Sequence, residues 1–375
     1  QVRTPSPGRS AATIWAATRG GLVALVILIA ALAGIPGETH PWRDGRWWLD
    51  RFSYFDSYHF VRIATEGYFT PARSCCDQAY FPGYPLAMRA AAPALSGPTL
   101  AGWIIALVAG VLAAVAFSGV ARQSLSAPRA QRRALSLLAP APAGVYTVAV
   151  YSESLFLAAA LGAWWAGLKQ RWWLAGLGAA LAVSTRVTGI FLVLGLLVMY
   201  AVSLRQSRRW PRVQVLWPLL PALALGGWLA WLRLRTGSWD AYREAQAIGW
   251  KRSTMAPWDA LVHQFGQISG AGDNWLQVSR SIDLLAVVGG VVLTVIVLAR
   301  HRWAEAAYLI PSVGVILTGS VWESAPRYAL AWFPAYLILA EAAERRRWLW
   351  WLTVGISLLL GAFMVYGWAT RRWVA

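Results

Sequence analysis

The chain of 375 residues is 58% hydrophobic and 13% charged, with a mean hydropathy of +0.48 and 25 tryptophans. That leaves too little polar surface to cover a water-soluble globule, so a soluble enzyme is excluded. The formal charge of +18, from 34 basic and 16 acidic residues, would suit nucleic acid. The basic residues instead sit in short clusters between apolar runs of ~17 to 22 residues, the length that crosses a hydrocarbon core, and a nucleic-acid partner is excluded with them.

Eleven runs read as membrane spans: 16–36, 98–119, 134–150, 154–168, 172–186, 187–204, 213–232, 282–299, 303–320, 328–343 and 348–368. With the N-terminus in the cytoplasm, the inner side collects 18 Lys and Arg, among them Arg3, Arg129, Arg208, Arg209, Arg212 and Arg345, against three acids. The outer side holds 16 basic residues and 13 of the 16 acids. Every short basic connection then falls inside, as the positive-inside rule requires. Acids do little to set topology, so their gathering on one face asks for another reason. The outer segments 37–97 and 233–281 therefore carry the expected chemistry, facing the periplasm or exterior. The whole chain, 1–375, reads as a single transmembrane domain. Tryptophans at span ends (Trp42, Trp47, Trp48, Trp164, Trp165, Trp172, Trp173, Trp348, Trp350, Trp351) read as an interfacial belt.

Within the first outer segment, Phe55 to Tyr68 places Phe55, Tyr58, Phe60, Ile63 and Ala64 near one face and predicts a short interfacial helix ended by Gly67. Asp56 stands at its N-cap position. Tyr80 to Leu86 (YFPGYPL) is punctuated by two prolines and reads as a re-entrant elbow, not an uninterrupted helix. Adjacent Cys75 and Cys76 supply neither a disulfide framework nor a zinc site. A bond between neighbours would be strained, which favours free thiols over a vicinal disulfide.

Six segments occur in one order along the chain: Phe55-Asp56-Ser57-Tyr58-His59-Phe60 with Gly67-Tyr68; Tyr80 to Leu86; Val150 to Phe156; Ser184-Thr185-Arg186 with Gly189; Gly237-Ser238-Trp239 to Gln246 with Trp250; and Ser324 to Tyr328 through Phe333-Pro334. Together, over about residues 50 to 345, they resemble the PIG-V family, the second mannosyltransferase of glycosylphosphatidylinositol assembly, and its bacterial relatives. Two positions depart from that pattern. Gly83 stands where a bulky apolar residue is usual, and Val187-Thr188 where a Ser-Asn pair is usual. The resemblance implies an all-α, polytopic type C glycosyltransferase (GT-C) fold with a catalytic acid in the first outer loop. It also implies a polyprenyl-phosphate sugar, mannose in this family, as donor.

Inverting transfer from such a donor needs one carboxylate to take the acceptor hydroxyl's proton, because the phosphate leaves already ionised. Asp56 is the candidate base, with Asp50 and Asp44 behind it. Isolated Arg327 and Arg186, at outer ends of apolar runs, are the candidate phosphate cradle, since a guanidinium is a rigid, permanently charged fork. Lys251 and Arg252 in the second long segment are further candidates. His59, three residues from Asp56, and Glu66, seven beyond His59, are candidate substrate ligands, as is Tyr84. Glu153, in a tight outer turn, either contacts sugar hydroxyls or pairs with Arg186 or Arg327. No Asp, Glu and His set has metal-ligand spacing and arginine neutralises the phosphate, so no cofactor is required, while a divalent metal stays open. The expected protein is a multi-pass cell-membrane glycosyltransferase, its partners a polyprenyl-phosphate sugar donor, a lipid-linked or envelope glycan acceptor and membrane lipids. The alternative is a transporter or flippase of a lipid or sugar-lipid, which would place its essential charges at mid-membrane depth.

Overall fold

The computed structural model describes residues 7–35, 43–69, 75–207 and 213–374. Arg3, Trp42, Arg208, Arg209 and Arg212 lie outside them. The described chain is all-helical, with one isolated antiparallel bridge, Thr254 to Gly319. Its elements are α1 (Pro7–Leu32), α2 (Ser57–Glu66), α3 (Gly83–Ala91), α4 (Pro98–Ser124), α5 (Pro128–Leu138), α6 (Glu153–Leu168), α7 (Trp172–Thr185) and α8 (Gly189–Ser207). Then follow α9 (Leu219–Thr236), α10 (Ala241–Trp250), α11 (Pro257–Ser269), α12 (Asn274–Ala299), α13 (Trp303–Leu317), α14 (Ala325–Ala329), α15 (Pro334–Arg345) and α16 (Arg347–Ala369).

Among the described residues, six helical stretches are long and apolar enough to cross a membrane: 8–32, 98–124, 189–206, 213–236, 274–299 and 347–369. Shorter apolar helices α6, α7 and α13 pack among them. The protein is a polytopic membrane protein. Large apolar side chains face outward along these helices, Leu112, Leu177, Leu223, Leu285 and Leu359 among them, as hydrocarbon allows and water would not.

The two remaining predicted spans are each broken. The run 134–150 is α5 followed by a 3₁₀ turn at Pro142–Thr147, because Pro140 and Pro142 withdraw backbone donors from any continuing helix. The run 328–343 divides into α14 and α15, the second opening on Pro334. Two of the belt tryptophans are core instead. Trp164 is buried with its ring 5.0 Å from that of Phe333, and Trp172 is buried 4.7 Å from Tyr200.

Helices alternate in direction, so the end of α1, the starts of α4, α6, α8 and α12, and the ends of α7, α9, α13 and α16 share one end of the bundle. The inter-helix packing that fixes this uses small residues. A Cβ on Gly178 of α7 would lie 2.9 Å from the Ala163 side chain and 3.0 Å from the Ala159 carbonyl of α6. At that shared end the two long segments fold down as the amphipathic α2 and α3 and as α10 and α11. The predicted 55–68 helix is α2, with Gly67 (φ +95°) terminating it. The proline-rich elbow resolves into the start of α3, whose first turn tolerates Pro85 because no intrahelical donor is needed there.

Candidate active site

Residues just before α2 are pinned to the turn before α6. Val150 N donates to Phe52 O at 2.8 Å, and the Asp56 amide donates to the Tyr151 hydroxyl at 3.0 Å. The Trp368 indole near the end of α16 donates to Arg51 O at 2.8 Å, and its ring lies 5.5 Å from Tyr151. Phe55 takes a left-handed φ of +55°, a conformation costly for a bulky residue, which turns the chain sharply at the entrance to α2.

Asp56 occupies the N-cap position of α2, yet its side chain makes no capping bond. The carboxylate instead faces an open cleft. Its Oδ1 accepts from the Tyr80 hydroxyl at 3.0 Å and its Oδ2 from Arg327 Nη1 at 3.0 Å. Burial pushes this carboxyl up, but the Arg327 charge, a smaller contribution from His59, and hydrogen bonds from Arg327 and Tyr80 outweigh it. Asp56 is held below the ordinary carboxylate range and is ionised at neutral pH.

Arg327, two residues into the short α14, is 7% exposed and lies 4.8 Å over each of the Tyr146 and Tyr151 rings. Its Nε and Nη2 donate to Glu153 Oε1 at 2.9 and 2.8 Å, while Nη1 reaches Asp56. Both edges of the guanidinium are thus engaged by protein carboxylates. Glu153, first residue of α6 and 3% exposed, also accepts from Arg186 Nη1 at the end of α7. Of the two readings of Glu153, the ion pair is the one seen, and it joins both arginines at once.

Arg186 and Arg252 line the same cleft, with Gln246, Tyr328, Val187 and Thr188. Arg186 lies 5.3 Å from the Tyr328 ring. Arg252 Nη1 donates to the Tyr328 hydroxyl at 3.3 Å and reaches Gln246 Oε1 at 3.5 Å, and its buried Nε has no protein partner. These two guanidinium groups, more than Arg327, are placed to meet an anion in the cleft.

Other predicted site residues stand back from it. The His59 ring is bound at Nδ1 by Asp77 Oδ1, 2.8 Å away, and stacks 4.7 Å from Tyr80, so it acts on Asp56 only through that ring and through space. Asp77 also takes the Arg62 Nε at 2.9 Å. Tyr84 is fully buried and donates to Gly102 O at 2.9 Å, which makes it a packing residue between α3 and α4. Glu66 lies at the far end of α2, lining a separate groove with Arg89, Trp228 and Trp231. Lys251 is exposed just beyond α10, its carbonyl accepting from Ser320 Oγ at 3.3 Å. Neither Asp50, which burial pushes up, nor Asp44, paired with Arg46 at 3.2 Å, lines the cleft.

Tyr80, Tyr151, Gln246 and Tyr328 are site residues that the sequence analysis does not name as candidates, although each lies in one of the six segments that carry the family resemblance. Gly83, one of the departures from the family pattern, has a packing reason. A Cβ there would sit 2.8 Å from the Ser184 carbonyl. Cys75 and Cys76 form a vicinal disulfide, contrary to the free thiols expected. It stands next to Asp77 and under Gly249, where a Cβ would lie 3.1 Å from that of Cys76. Among the described residues, no group of three or more His, Cys, Asp or Glu is arranged to hold a metal ion.

Residues 43–216 match the family model described as Mannosyltransferase (PIG-V). Similar curated proteins are GPI alpha-1,6-mannosyltransferase 2 of Mus musculus, 32% identical over 152 residues, and its namesake of Rattus norvegicus, 34% identical over 152 residues. Each match covers 38% of this chain and 30% of the relative, so the chain spans under a third of the curated proteins it matches. The matched region contains Asp56, Tyr80, Glu153 and Arg186 but stops short of Arg252 and Arg327. Over residues 43–216, then, this polytopic membrane chain is similar to the mannosyltransferase (PIG-V) family.

Proposed function

We propose that the protein is a membrane mannosyltransferase that moves mannose from a polyprenyl-phosphate donor to a lipid-linked or envelope glycan acceptor at the outer face, with inversion. The observation that carries this is an ionised Asp56 facing a cleft whose other wall holds Arg186 and Arg252. The acceptor hydroxyl oxygen attacks the anomeric carbon, the bond from that carbon to the phosphate oxygen breaks, and the polyprenyl phosphate departs with the bonding pair. Asp56 takes the hydroxyl proton as the new glycosidic bond forms. Arg186 and Arg252 hold the phosphate, whose added charge on leaving they stabilise. Arg327, fixed by Glu153, keeps Asp56 ionised and aimed, and Tyr80 holds the other carboxylate oxygen.

The site lies at the bundle end that collects the acids, which supports an outward-facing cleft with the N-terminus inside. Transfer of radiolabelled mannose from synthetic polyprenyl-phosphate mannose to an envelope lipid extract tests the reading. The purified protein should yield a labelled lipid that Asp56→Asn fails to make while keeping its fold. Turnover in that variant near the parent's would remove Asp56 from the role, and activity with a different polyprenyl-phosphate sugar would keep the enzyme class and change the donor. Silence with every donor would favour the transporter.

A further inference from the structure

Asp283 is the single acidic residue of α12, and it is 1% exposed. A carboxylate on a span-forming helix is expensive unless something compensates it. Its Oδ1 accepts from the backbone N–H of Ala325, 42 residues away in sequence, at 3.2 Å. The other charged groups that act on it are Arg280 on its own helix, whose Nη1 is held by Gln267 O at 2.6 Å, and Glu323 in the turn.

The turn thus held is an unusual one. Ser324 adopts a left-handed φ of +76° although it is not glycine, a conformation that persists where the surroundings impose it. The next residue's amide, held by a buried carboxylate on another helix, is such an imposition. Ser324 in turn fixes Arg327. The Arg327 amide donates to Ser324 O at 3.0 Å, and Arg327 Nη1 lies 3.4 Å from Ser324 Oγ, the same nitrogen that reaches Asp56 at 3.0 Å. A continuous line of contacts therefore runs from α12 through the 324–325 turn to the carboxylate assigned as base.

We propose that Asp283 is a positioning residue for the transfer reaction. By holding the amide of Ala325 it sets the turn that aims Arg327 at Asp56, although it lines no part of the cleft. The proposal rests on the reading of Asp56 as the base, and its consequence is specific. With Arg327 misaimed, Asp56 loses the cation that holds its pKa down, while Tyr80, Tyr151 and His59 remain around it.

The test compares the 375-residue chain in nanodiscs with Asp283→Asn and Asp283→Leu. The amide keeps an acceptor in place; leucine keeps the branched shape, suits an apolar span and has no acceptor. Asp283→Leu should lose about tenfold to a hundredfold in kcat, the scale of a small misplacement near the reacting atoms. The acid limb of its pH–rate profile should move up by about one unit, as expected when a carboxylate loses a neighbouring cation. Asp283→Asn should retain most of the rate and an unmoved limb. A merely structural role would lower the amount of folded protein and leave the limb where it was. An unmoved limb in the leucine variant, or equal losses in the two variants, would overturn the proposal. If the parent protein transfers no sugar, the functional reading fails by itself. Asp283 is then judged by the Asp56 titration, read without substrate as the infrared carboxylate band absent from Asp56→Asn. A band that titrates higher in Asp283→Leu supports the positioning role, and an unchanged one removes it.

Discussion

Asp56 makes two hydrogen bonds that matter for its proton, one from Tyr80 and one from Arg327. A hydrogen bond to a charged acceptor contributes about 1.5 to 3 kcal/mol, so Tyr80→Phe should lower kcat/KM by roughly tenfold. The sign of its pH effect follows from the depressed pKa. The parent keeps Asp56 ionised below the usual carboxylate range, whereas losing a donor raises the pKa and protonates the base at a higher pH. The variant's rate should therefore fall more between pH 7 and pH 5 than the parent's, as a pH profile of initial rates will read. Arg252 belongs to a different task. Its unpartnered Nε and its place in the cleft fit the proposed donor contact, so under that proposal Arg252→Gln should raise the KM for polyprenyl-phosphate mannose about tenfold, with a smaller change in kcat. A large fall in kcat at unchanged KM would put Arg252 at the chemical step instead.

The charged cluster is also a joint between elements. Glu153 opens α6, Arg186 follows α7 and Arg327 lies in α14, and one buried carboxylate oxygen holds both arginines. Removing one charge from a buried network strands its partners and costs about 3 to 5 kcal/mol. Glu153→Gln should accordingly lower the thermal unfolding midpoint in detergent by several degrees, besides reducing activity, whereas Glu66→Gln, outside the cluster, should leave the midpoint nearly unchanged. Helix boundaries follow the same contrast between local and distant causes. The end of α2 at Gly67 and the starts of α4 and α11 on prolines are local chemistry, visible in the sequence. The breaks inside the third and tenth apolar runs escaped a reading by hydropathy, because a proline-interrupted stretch is as apolar as a continuous helix.

For the whole molecule, the acids and the cleft lie at one end of the bundle and most short basic connections at the other. A membrane orientation with the cleft outside makes a direct prediction. A cysteine at exposed Ser269, beside the cleft end, should react with an impermeant maleimide in intact cells. One at exposed Ser124, at the end of α4, should react only after permeabilisation. The vicinal pair Cys75 and Cys76, being bonded, should stay silent. Reversed labelling would turn the protein over in the membrane and leave the cleft geometry intact.

The sequence by itself determined what one-dimensional patterns can encode. Apolar runs of membrane length defined a polytopic helical chain, the bias of basic clusters separated its two sides, the gathering of acids pointed to the outer segments, and the family resemblance, with its acid in the first outer loop, singled out Asp56. It also nominated Glu153, Arg186 and Arg327, since a lone charge at the end of an apolar run is costly without a partner. Only the tertiary structure decided who that partner is. It closed Arg327 between Asp56 and Glu153, 271 and 174 residues away in the chain, and placed Arg252 beside Arg186 in the lining of the cleft. It set Glu66, Tyr84 and Lys251 aside and brought Tyr80, Tyr151 and Asp283 into the account. Charge pairing is a property of distance, and hydrophobic periodicity records which face of a helix is buried but not which other helix covers it.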